Sequence, residues 1–170
     1  MVNSAGCGST MKEYGDLLKD DPVYAEKAER FAGMVKDINE FLAGLPIEAP
    51  ANELQARVTY QDSCHLAHAQ GIVDAPRQLL GAIPGLKLVE MDRSDMCCGA
   101  AGVYNVTHRT MSERLLEDKM TRVSSTGAEI IATANPGCML QLESGARERG
   151  LDVRVVHVVE LLDEAYSAED

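Results

Sequence analysis

Over the first 45 residues the apolar positions recur at helical spacing. Met11, Tyr14, Leu17 and Leu18 form one short stripe. After the Asp20-Asp21-Pro22 break, Tyr24, Ala28, Phe31, Val35, Ile38, Leu42 and Leu45 step by threes and fours. The pattern predicts two helices, the second ended by Gly44 and Pro46. Residues 46–55, opening with PIEAPANE, read as a linker. From residue 56 the texture changes. Short β-rich runs at 57–60 (RVTY), 86–90 (LKLVE), 129–133 (EIIAT) and 153–156 (VRVV) alternate with helical stretches near 64–70, 75–82, 103–124, 136–149 and 158–166. Strand–helix alternation at this spacing predicts an α/β fold, a Rossmann-like parallel sheet with flanking helices. Functional groups in such sheets collect beyond the carboxyl ends of the strands.

A weak internal repeat accompanies this pattern. Ser4-Ala5-Gly6-Cys7 echoes Asn135-Pro136-Gly137-Cys138, and 35–42 (VKDINEFL) echoes 155–162 (VVHVVELL). The first copy lacks upstream strands. Residues 1–45 are therefore expected to be a helical remnant of a truncated first repeat, and residues 56–170 a second repeat.

Composition narrows the function classes. The net charge of −11 argues against nucleic acid, whose affinity rests on Lys and Arg at phosphates. No apolar run approaches the roughly 18 residues of a membrane span, and no basic-then-apolar leader opens the chain. Cytoplasm is the expected compartment. Five cysteines fit a disulfide framework badly and suit metal or redox chemistry.

The cysteines fall at telling places. Cys64 follows the first strand, Cys97 and Cys98 lie on the loop after the second, and Cys138 follows the third, so all four map to one sheet edge. Asn135 is a favourable N-cap and Pro136 a favourable first helical residue, which puts Cys138 in a first turn, where helix dipole and free amides favour a thiolate. Asp62 or Ser63 is a candidate cap for the helix opened by Cys64. Gly99 and Gly102, in CCGAAG, let backbone amides approach an anionic group. Four thiolates suffice for an iron–sulfur cluster or a tetrahedral zinc.

The spacing of Cys64, Cys97-Cys98, Asn135 and Cys138 resembles the CCG, or cysteine-rich, domain. YQDSCHLAHAQGI (60–72), CCGAAGVYN (97–105), TANPGCMLQL (133–142) and SAGCGSTMKEYG (4–15) look like the iron–sulfur subunit of glycolate oxidase, and the resemblance covers nearly the whole chain. It implies an electron-transfer part of a glycolate dehydrogenase complex, with Cys64, Cys97, Cys98 and Cys138 holding a cluster of 4Fe-4S type. Implied partners are a flavoprotein subunit, further iron–sulfur domains and a membrane acceptor reached from the inner face of the membrane. The family pattern closes with Cys-x-x-Cys, and Asn135 stands at the first of those positions. Cys7 then reads as a ligand of a neighbouring site in the truncated repeat. Three other readings stay open: a zinc-stabilised interaction module, the cysteine-rich subunit of a lactate, glycerol-3-phosphate or heterodisulfide oxidoreductase, and thiol–disulfide chemistry at Cys97-Cys98.

His68, one turn from Cys64, is a candidate cofactor contact, and His65 a weaker one; for both, hydrogen bonding behind the ligands explains the position as well. Arg77 reads as a surface ion-pair partner, Asp92 and Asp95 as solvated loop residues, and Gln141 as a donor to a cluster sulfur or a packing residue. His108 and His157 carry no visible constellation. No phosphate-binding loop follows any strand, so no nucleotide site is expected.

Overall fold

The computed structural model describes residues 1–46 and 48–167. Four strands, β1 (Arg57–Tyr60), β2 (Lys87–Leu88), β3 (Ile130–Thr133) and β4 (Arg154–His157), form an all-parallel sheet in the order β2-β1-β3-β4. The register pairs Val58 with Leu88 on one side and with Ile130 on the other, and Thr133 with His157 across β3 and β4. β3 is buried at all four positions, as a central parallel strand covered on both faces must be.

Each face of the sheet carries its own core. On one, Val58, Tyr60, Ile130, Ala132 and Val156 meet Leu79 and Leu80 of α5 (Asp74–Gly81) and Val158, Leu161 and Leu162 of α9 (Val158–Tyr166). On the other, Ile131 meets Leu116, Met120 and Val123 of α7 (Arg109–Thr126) and Leu142 and Ala146 of α8 (Pro136–Glu148). Cys98 and Cys138 belong to this second core. α7 and α8 approach closely at Gly145, where a Cβ would stand 2.8 Å from Met120 Cγ. Among the described residues no helix is long and apolar enough to cross a membrane.

The N-terminal 45 residues differ from the sequence reading. They form α1 (Ala5–Lys12), α2 (Tyr14–Leu17), α3 (Ala25–Met34) and α4 (Ile38–Ala43). The expected long second helix is broken over residues 35–37, because Asp37 adopts extended backbone and caps α4, its side chain accepting from the Asn39 N–H. Asp37 also forms a parallel bridge with Val2. The run of apolar residues at steps of three and four continues across this break, which is why periodicity alone missed it. The arrangement parallels the C-terminal half: Val2 bridges Asp37 as Thr133 pairs with His157, and Asp37 and His157 each cap the following helix.

Two further helices depart from expectation. The stretch near 103–124 divides at His108 into α6 (Tyr104–Thr107) and α7. The turn after Cys64 is a π-helical turn, His65–Ala69. Neither Asp62 nor Ser63 caps it through a side chain.

Candidate metal centre

Because the strands are parallel, the loops after β1, β2 and β3 leave the same edge of the sheet. Those loops deliver Cys64, Cys97, Cys98 and Cys138 to one cavity of about 740 Å³. Cys98 and Cys138 are buried, and Cys64 and Cys97 partly so. His65, Asn135 and Gly137 line the same cavity, and so do Cys7, Thr10 and Met11 of α1. Cys7, expected at a separate neighbouring site, thus opens onto the same space, with its side chain exposed.

The four thiols interact in series, Cys64 with Cys97, Cys97 with Cys98, and Cys98 with Cys138. Cys97 is pulled down to about 2 by the Cys64 and Cys98 thiols, against burial, with help from the Gly99 N–H 3.3 Å from its sulfur. Cys138 is lowered to about 7, first by Cys98 and then, against burial, by Asn135 and Ser63. Cys64 is raised by Cys97 and by burial, and Cys98 by Cys138, Cys97 and burial. The thiols share protons among themselves, so metal binding must displace the protons that remain.

This donor set suits a metal–sulfur group. Among the described residues no three His, Cys, Asp or Glu side chains already converge as the cage of a single ion would need. One tetrahedral zinc, with Zn–S bonds of about 2.3 Å, draws all four sulfurs around a point. Four thiols facing one cavity supply the ligands that either a tetrahedral zinc or an iron–sulfur cluster needs.

The supports of the site were mostly hidden in the sequence. Ser112 of α7, fully enclosed, donates to the Gly99 carbonyl at 2.8 Å, and Gln141 of α8 donates to the Ser112 hydroxyl at 3.1 Å. Gln141 thus braces the turn after the vicinal cysteines through Ser112. Lys119 of α7 is completely buried and donates to the carbonyls of Arg93 and Ser94, at 3.0 and 3.1 Å, on the loop leading to Cys97. Burial lowers the Lys119 ammonium to about 8, opposed by Cys98, Asp95 and Asp62. A signal existed: Lys119 lies on the stripe of Ser112, Leu116, Met120 and Val123, where a lysine is out of place.

Arg77, expected to be a surface ion-pair partner, does form ion pairs, but one of its partners is a buried carboxylate, which makes it a clamp. It makes paired 2.8 Å bonds to the buried Asp62 carboxylate, reaches Glu90, and lies over the Tyr60 ring. Ser94 donates to Asp62 at 2.6 Å, so the clamp grips the same loop that Lys119 holds. His68 does not line the cavity; its Nε2 lies 3.3 Å from the Asp95 carbonyl oxygen. His157 Nδ1 accepts from the Val159 N–H and Glu160 accepts from the His157 N–H, a reciprocal cap on α9. Asn135 does not cap its own helix through its side chain; its carbonyl accepts from the Cys138 and Met139 amides instead.

Comparison with known proteins agrees with this geometry. The cysteine-rich domain (CCG) model matches residues 58–143. The chain is 44% identical over 169 residues to the probable glycolate oxidase iron-sulfur subunit of Bacillus subtilis, covering 97% of this chain and 38% of that protein. It is 32% identical over 161 residues to lactate utilization protein A of Bacillus licheniformis, covering 94% of this chain and 68% of the relative. The corresponding protein of Halalkalibacterium halodurans is 30% identical over 161 residues, with 66% of its length covered. The chain therefore spans little more than a third of the glycolate oxidase subunit and about two thirds of the lactate utilization proteins. With the matched segment running from β1 into the Cys138 helix and so containing all four thiols that line the cavity, the chain belongs to the cysteine-rich (CCG) domain family.

Proposed function

We propose that Cys64, Cys97, Cys98 and Cys138 hold an iron–sulfur cluster of 4Fe-4S type and that the chain is an electron-transfer part of a glycolate oxidase type complex. The observation that carries this reading is the convergence of four thiols from three loops on one cavity wall. The likeness to an iron–sulfur subunit supports the choice of metal. When bound, such a group would supply single-electron transfer. The protein's own residues supply the rest. The Gly99 amide and the Asn135 carboxamide direct N–H groups at Cys97 and Cys138. The α8 N-terminus places its positive end beside Cys138. Lys119 and the Arg77–Asp62 clamp fix the loop that carries the vicinal pair.

In this reading residues 1–45 are the end of a preceding repeat, supported by the matched bridges and caps of the two halves. A flavoprotein subunit is the electron donor, and the acceptor lies at the inner face of the membrane, with the chain itself in the cytoplasm.

The test is iron and sulfide analysis with optical and EPR spectroscopy on anaerobically prepared protein. Iron, sulfide and a reducible chromophore are expected, lost on serine substitution of any of the four cysteines and kept in Cys7→Ser. A colourless, EPR-silent protein with stoichiometric zinc would overturn the reading in favour of a structural zinc module.

A further inference from the structure

The side chain of Asn135 is freed for other work by its own backbone. Its carbonyl accepts from the Cys138 N–H at 2.9 Å and the Met139 N–H at 3.0 Å, and Pro136 at the first helical position has no N–H to satisfy. The carboxamide instead reaches two elements at once. Its Oδ1 accepts from the Gly6 N–H at 3.1 Å, in the first turn of α1, and its Nδ2 lies 3.5 Å from Cys138 Sγ. The orientation is fixed, because the Gly6 amide only donates and so must face the oxygen, leaving the NH₂ toward the sulfur. Ser4, the residue at the start of α1, makes no side-chain cap. Asn135 therefore caps α1 from across the molecule.

The surroundings are shaped to this carboxamide. A Cβ on Gly137 would stand 3.3 Å from Nδ2, and one on Gly6 3.5 Å from Oδ1. The start of α1 is held beside it by the Ala5 N–H, 3.1 Å from the Ala134 carbonyl, and by Gln70 Nε2, 3.0 Å from the Ala5 carbonyl.

We propose that Asn135 is a positioning residue with two separable roles: its oxygen locks α1, the helix carrying Cys7, onto the site, and its N–H raises the reduction potential of the centre through Cys138. The second role rests on the iron–sulfur reading; the first does not. An N–H aimed at a ligand sulfur stabilises negative charge there, and the reduced centre carries more of it, so the bond favours reduction. Aspartate at this position keeps the acceptor, removes the donor and adds negative charge beside Cys138. Alanine removes both.

The experiment compares wild type, Asn135→Asp and Asn135→Ala in the full chain by two readouts. Amide hydrogen exchange at residues 6–8 is measured on metal-free protein, and the midpoint potential by EPR-monitored titration after anaerobic reconstitution. Exchange is expected to stay at the wild-type rate in N135D and to rise roughly tenfold in N135A, the loss of about one hydrogen bond. The midpoint is expected to move negative in both variants. Wild-type exchange in N135A overturns the lock, and an unchanged midpoint in N135D overturns the tuning. N135D conserves side-chain volume, so it decides the tuning role even where N135A fails to fold. Protein that takes up no iron overturns the iron–sulfur reading and the tuning with it, while the exchange result still decides the lock.

Discussion

Ser112 Oγ donates to the Gly99 carbonyl at 2.8 Å, and the two residues sit so close that a Cβ on Gly99 would stand 2.5 Å from the Ser112 carbonyl oxygen. This contact presses the turn after Cys97 and Cys98 against α7, and Gln141 draws α8 onto the same hydroxyl. The spacing between the vicinal cysteines and Cys138 is thereby set by two helices meeting at one serine.

Gly99→Ala meets two penalties, a left-handed backbone at φ +94° and a collision with main chain that has no room to move. A loss of about 3 kcal/mol or more is expected by urea denaturation. Gly71 and Gly150 also have positive φ but face open space, and alanine at either should cost only about 1 kcal/mol. Equal losses at all three positions would show that the close approach to Ser112 does not constrain the turn.

Lys119→Met keeps the length and apolar stem of the side chain and removes the donor to Arg93 and Ser94. Two carbonyls lose their partner, at a cost of about 1–3 kcal/mol each where water does not replace it. Hydrogen exchange over residues 92–98 should accelerate selectively. A uniform change across the chain, or none, would count against Lys119 as the anchor of that loop.

Asp62 is held below the ordinary carboxylate range; burial opposes ionisation, and the hydrogen bonds from Arg77 and Ser94 outweigh it. A depressed carboxylate contributes stability that is present above its unfolded pKa and lost as pH falls through the folded one. Wild type should therefore lose stability below about pH 4, the unfolded value. Asp62→Asn should cost about 3 kcal/mol at neutral pH because it leaves Arg77 without its buried partner. The two proteins should converge in acid. Parallel pH profiles of the urea midpoints would refute the assignment.

Metal uptake should release protons. Cys64 and Cys98 are raised by their thiol neighbours and by burial, while Cys97 and Cys138 are lowered by hydrogen bonds, so the set retains protons at neutral pH. Binding requires all four as thiolates. Affinity should rise with pH, and titration of metal-free protein with cadmium in weak buffer should release protons at pH 7. No release, or affinity that falls with pH, would contradict this distribution of charge.

The strand–helix alternation and the cysteine positions were legible in the sequence because both are local. A short β-branched run reads as a strand wherever it packs, and once the strands are parallel every following loop leaves the same edge. Cys64, Cys97, Cys98 and Cys138 were bound to meet. The break at Asp37 was not legible, since the apolar steps run through it and the Val2 bridge that fixes it is distant in sequence. Choice of partner was least legible of all. Asn135 carries the signature of a cap for its own helix, yet it caps α1, and Gln141, placed either to serve a sulfur or to pack, joins α8 to Ser112 of α7. A polar side chain bonds to whichever complementary group packing brings within about 3 Å. Sequence spacing governs that distance only inside one helix or turn; across 129 residues, as between Gly6 and Asn135, the assembled core decides it.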